Sequence, residues 1–175
     1  DTFTTLEDQT LVISAGTTSL LIVYGSNSLT YTEDSGSFIG TRNDRSGVDI
    51  DYSDDYYSNL FMRFATADGS PLVPGHYTNA QRYGESVNAP GLQIGDVYSD
   101  ETISGQFDVI QANYNADGSV KNFAAEFEQH RNFNPTGTYG RIDFHYLPEG
   151  QQAGILANDS DPEKDSLISS VVSKP

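Results

Sequence analysis

Short apolar runs with a period of two, each ended within a few residues by Gly, Pro or Asx turn chemistry, restrict this chain to one broad class of fold. No window of a dozen residues carries an apolar stripe at helical spacing. Leu20–Tyr24 has the character of a buried strand, and Leu60, Met62 and Phe64 alternate onto one face of the next clear run. Gln106–Tyr114 alternates less cleanly through Phe107, Val109 and Ala112. It then meets Asn115–Ser119, where Asp117-Gly118 supplies the positive φ of a tight hairpin, so Val120–His130 is the expected return strand. Ala67–Pro71 is a second Asp-Gly turn, and Pro71 with Pro74-Gly75 keeps the chain irregular until His76-Tyr77. The expected fold is all-β: an antiparallel β-sandwich, with a partly closed barrel as the second form.

A length of 175 residues favours one domain and suffices for a real core, since a chain of that order buries about 68–70% of its unfolded surface. With no cysteine, disulfides cannot carry the fold. The 25 acidic and 9 basic residues give a net charge of −16, which repels nucleic acid and anionic membrane and attracts divalent cations. No apolar run reaches the roughly 18 residues of a membrane span, and no signal-peptide pattern is present, so an export signal is expected elsewhere in a longer parent chain.

Two resemblances add a setting. Asp1–Ala15 resembles the first strand of bacterial cadherin-like, VCBS-type (Ig-like) repeats, and Gly154–Leu167 resembles the segment that follows that strand. The implied organisation is repeat strand or linker at 1–15, a β-sandwich domain at 16–150, and repeat linker leading to a following domain at 151–175. It further implies an extracellular, secreted or cell-surface protein, with neighbouring Ig-like or cadherin-like domains as partners. Junctions of such repeats bind Ca²⁺ in some relatives, which makes Asp159, Asp161 and Asp165 candidate ligands. Between the ends, Phe64–Tyr77, Ala89–Leu92, Thr102–Phe107 and Phe123–His130 (Phe-Ala-Ala-Glu-Phe-Glu-Gln-His) resemble a recurrent β-rich domain of exported bacterial proteins with no established activity. Many members carry one cysteine before the Thr-x-x-Gly element and one after Gln-His. Asp100 and Arg131 stand at those places here, so the resemblance implies an ion pair in place of a disulfide. If exposed it is worth about 0–1 kcal/mol, against about 2–4 kcal/mol for the staple.

The segment Ala124–Tyr146 is richest in chemistry. Period two puts Phe123, Ala125, Phe127 and Gln129 on one face and Glu126, Glu128 and His130 on the other, with Ile142, Phe144 and Tyr146 opposing Arg141, Asp143 and His145. In one register Glu128 faces His145 and His130 faces Asp143, a set that could hold zinc; the plainer reading is a solvated face with cross-strand ion pairs. Asp49, Asp51, Asp54 and Asp55 form a second candidate Ca²⁺ cluster, although without EF-hand features a plain acidic loop is the simpler reading. Tyr52, Tyr56 and Tyr57 beside it suggest a carbohydrate platform.

Catalytic motifs are absent from the sequence. Glu126 and Glu128 stand about 7 Å apart on one strand face, within the roughly 6.5–9.5 Å of inverting glycosidases, but ordinary strands make such pairs constantly. The expected function is a non-catalytic adhesion or spacer module, calcium-stabilised, of a large multidomain protein. A carbohydrate-binding module that engages cell-surface glycans is the alternative, and a hydrolase ranks third.

Overall fold

Ten strands build the described part of the chain, residues 16–55, 59–95 and 101–148 of a computed structural model, in which no helix occurs. They are β1 (Thr17–Tyr24), β2 (Asn27–Thr32), β3 (Ser37–Arg42), β4 (Val48–Ser53), β5 (Asn59–Ala65), β6 (Gly75–Arg82), β7 (Gly91–Ile94), β8 (Ile103–Tyr114), β9 (Val120–Arg131) and β10 (Thr138–Tyr146). All ten join one sheet in the order β2-β1-β10-β9-β8-β6-β7-β5-β4-β3. Every pairing is antiparallel except the short parallel contact of β6 with β7. The all-β expectation is met, in a form nearest to the partly closed barrel.

Curling brings the two ends of the sheet together. β2 and β3 are consecutive in sequence yet form its opposite edges, so the seam of the near-barrel runs between them. Side chains rather than a hydrogen-bonded ladder cross it. The Tyr31 ring lies 4.7 Å from that of Tyr52, and a Cβ on Gly40 would meet the Phe144 ring at 2.5 Å. The inward residues of both halves form one core around Phe64, whose ring centroid lies 5.3, 5.2 and 6.3 Å from those of Phe107, Phe123 and Phe127. Gln129, 1% exposed, is the most buried polar side chain described: Ile94 N–H donates to its Oε1 at 2.8 Å and its Nε2 donates to Ile94 O at 3.1 Å.

Three expectations change. The acidic stretch is a strand rather than a loop, because Val48, Ile50 and Tyr52 are buried at alternate positions and leave Asp49 and Asp51 on the outer face. Tyr52 is no platform: it is 2% exposed, packed between Tyr31 and Phe38, and its hydroxyl donates to Ser35 O at 2.9 Å. Tyr56 and Tyr57 lie outside the described residues.

The third concerns register. Glu128 lies opposite Tyr139 and Glu126 opposite Arg141, while Asp143 faces Ala124. The proposed pairs Glu128 with His145 and His130 with Asp143 therefore do not form, and the zinc set is dispersed. Phe127 fixes this register by packing over Gly140, where a Cβ would come within 2.5 Å of its ring. The faces themselves are as expected, because a slip by an even number of residues exchanges partners without turning a side chain over.

Candidate functional site

On the outside of the β6-β8-β9 region lies an open groove of about 350 Å³, lined by Asn79, Ala80, Gln81, Glu85, Thr102, Ile103, Ser104 and Phe133. Its volume falls at the small end of ligand clefts, about 300–1,000 Å³. The groove exists because the β6 to β8 ladder shifts register between Tyr77 and Ala80, where Asn79 takes a φ of 54°. Ala80 and Ile103 are buried and form its floor, while Asn79, Gln81 and Ser104 reach solvent.

Phe133 is the least expected wall. It follows β9 in the turn Arg131–Asn134, closed by Asn134 N–H donating to Arg131 O at 2.9 Å, with φ of 50° at Asn132 and 57° at Phe133. Positive φ at both central positions suits Asn and Gly. A bulky aromatic there costs roughly 1–3 kcal/mol, and Phe133 recovers nothing by burial, being 82% exposed. Hydrogen bonds on both sides hold the turn backbone in place. Asn132 N–H donates to Thr102 O at 2.9 Å and Thr102 N–H returns a bond to Asn132 Oδ1 at 3.0 Å. Thr136 N–H donates to Asn134 Oδ1 at 2.9 Å, and His130 Nδ1 meets Asn134 O at 2.9 Å.

His130 links the turn to the sequence-predicted polar cluster. Its Nε2 lies 2.7 Å from Glu128 Oε1, and Gln106 Nε2 donates to Glu128 Oε2 at 2.9 Å. Both His130 partners are acceptors, so only the imidazolium satisfies both. The Glu128 bond, then that to Asn134 O, raises the His130 pKa above its ordinary value; the His130 bond is the main cause holding Glu128 below the carboxylate range. The sign of the linkage follows. The His130 contribution is full below about 6.5 and is lost as pH rises through the raised folded value, whereas that of Glu128 is present above about 4.3 and is lost as pH falls through the depressed one. The wild-type thermal midpoint relative to that of His130→Ala should therefore be highest between those limits and decline on either side in a melting series. With both side chains partly exposed, the difference should stay within about 1 kcal/mol; a constant difference across pH would contradict this coupling.

The other predicted residues fall elsewhere. Arg141 clamps Asp143 through Nε and Nη2 at 2.9–3.1 Å and reaches Glu126 Oε1 at 3.2 Å. Glu126 and Glu128 thus each have a cationic partner. His145 stacks on Phe144 and meets Lys121 O at 3.3 Å. Asp49 accepts from Asn43 Nδ2 at 2.9 Å and lies 3.7 Å from Arg63, whose guanidinium gives the Asp49 and Asp51 face a countercharge. Burial raises the pKa of both aspartates. Asp54 and Asp55 follow the strand end. Among the described residues no group of three or more His, Cys, Asp or Glu side chains is gathered in a way that could hold a metal ion. Asp159, Asp161 and Asp165 lie outside the described residues, as does Asp100. Arg131 is described: it pairs with Glu101 at 3.2 Å and donates to Ile94 O at 2.8 Å. Among the described residues no helix is long and apolar enough to cross a membrane.

Comparison with protein-family models, with curated proteins and with solved structures returned no match.

Proposed function

We propose that this domain is a non-catalytic adhesion module of a large exported multidomain protein, engaging its ligand at the Phe133 groove. The observation that carries the reading is an aromatic ring 82% exposed, on a backbone it does not favour, in a turn fixed from several sides. Such a residue contributes nothing to the core, and strain of this kind collects at binding sites. Binding is favoured over turnover because Glu85 is the only titratable side chain lining the groove among the described residues, while Glu126 and Glu128 are held by Arg141 and His130. Calcium enters this proposal at the flanking carboxylates Asp159, Asp161 and Asp165, since Arg63 already pairs with Asp49 on the Asp49 and Asp51 face.

Beads carrying the 175-residue chain, washed under flow over cellulose, chitin, alginate and collagen surfaces, test the reading. At least one surface should retain them, Phe133→Ala should cut retention at least tenfold, and no soluble fragments should accumulate. Retention no better than bare beads on every surface, or steady release of fragments, would contradict it.

A further inference from the structure

The geometry points to an uncharged sugar as the occupant of the groove, with one pyranose ring stacked on Phe133 and its hydroxyls bonded to Asn79, Gln81 and Ser104. This rests on the adhesive reading and names its ligand class. It also moves the carbohydrate site away from Tyr52, which is buried.

Three features of the lining select such a ligand. First, Phe133 offers an apolar ring face to solvent from a turn whose backbone is held by hydrogen bonds. The C–H face of a pyranose is flat, weakly apolar and rigid, and an aromatic side chain with only two side-chain torsions loses little entropy on stacking against it. Second, the polar lining combines the amides of Asn79 and Gln81, the hydroxyls of Thr102 and Ser104, and the carboxylate of Glu85. Each sugar hydroxyl both donates and accepts, so it needs a wall with both capacities, which amides and hydroxyls supply. The side chains of Asn79, Gln81 and Ser104 make no hydrogen bond to other described residues and remain available.

Third, charge excludes the acidic alternatives. Among the described residues no lysine or arginine lines the groove; Glu85, 3.9 Å from Arg82 Nε, brings a carboxylate to it, and the chain carries −16. A uronate, sulfate or sialate would lose hydration and meet the Glu85 carboxylate with no cation in the described lining to pair with it. Cationic peptides are the remaining competitors, since Glu85 and a ring face would both attract an ammonium group. The bulk of the described lining disfavours them: amide and hydroxyl side chains outnumber its one carboxylate, which Arg82 already pairs.

The test is a ¹⁵N chemical-shift titration of the full chain with cellotriose, chitotriose and mannotriose, against trigalacturonate and trilysine. At least one neutral trisaccharide should shift the amides of residues 79–85, 102–104 and 131–134, and trigalacturonate should bind at least tenfold more weakly. Phe133→Ala should weaken the neutral ligand at least tenfold. Phe133→Gly should do the same while melting no lower than wild type, since glycine adopts a φ of 57° freely; this separates lost contact from lost fold. Tighter binding of trigalacturonate or trilysine than of every neutral sugar, or neutral binding indifferent to both variants, would overturn the proposal. The two readings fail separately. Beads retained only on alginate or collagen, with no neutral sugar shifting the groove, would sink the ligand class and leave adhesion standing. Neutral sugars shifting the groove while no surface retains beads would do the reverse.

Discussion

Phe64→Ala is expected to lower the unfolding free energy by about 3–5 kcal/mol. Phe64 is fully buried on β5, and its ring packs against those of Phe107 on β8 and of Phe123 and Phe127 on β9. β5 and β9 are separated in the sheet by β7, β6 and β8, so these contacts exist only because the sheet curls back on itself. Truncation opens a cavity that the stiff surrounding ladders fill only in part. Against a typical total of about 5–15 kcal/mol, the variant should unfold at a much lower urea midpoint. A loss under about 1 kcal/mol would mean that the two halves of the sheet do not share a core.

Gln129→Leu should cost about 1–3 kcal/mol through a different cause. The substitution nearly preserves volume, so packing is spared, but the amide bridge to Ile94 disappears. Ile94 O keeps the Arg131 guanidinium as a donor, whereas Ile94 N–H loses the side-chain acceptor it had in Gln129. An unpaired buried amide is the expensive outcome. Hydrogen exchange supplies the specific check: the Ile94 amide should lose protection in the variant while the amides at the centre of the β8 and β9 ladder keep theirs. Unchanged stability together with unchanged protection at Ile94 would show that the bridge holds nothing.

Much of the strand content was legible because the core-forming pattern is local. Leu60, Met62 and Phe64, the Asn115–Ser119 turn and the two faces of β9 follow from period two and from Asp-Gly chemistry, and each stands as expected. β4 was obscured by its own surface, since Asp49 and Asp51 between Val48, Ile50 and Tyr52 give a composition that resembles a loop although the alternation is that of a strand. β2 has one aliphatic residue, Leu29, and is defined by its neighbour β1 rather than by its own sequence.

Register and groove were hidden for a related reason. The β9 to β10 register depends on the fit of Phe127 to the bare backbone of Gly140, a contact between residues that no local rule pairs. The groove draws Asn79, Ser104 and Phe133 from three separate segments, and it opens where the β6 ladder slips. Nothing in Asn132-Phe133-Asn134 announces that an aromatic ring takes a left-handed conformation usually left to glycine or asparagine. That conformation is imposed by Thr102 and His130, which are remote or merely adjacent in sequence.

The central claim is that the chain meets its ligand at this groove. Hydrogen–deuterium exchange of the 175-residue chain, free and bound to whichever surface retains it, tests that claim most directly. New protection should concentrate at residues 79–85, 102–104 and 130–136 and leave the β2 and β3 edges unchanged. Protection confined to the seam between β2 and β3, with the groove exchanging as in the free chain, would contradict it.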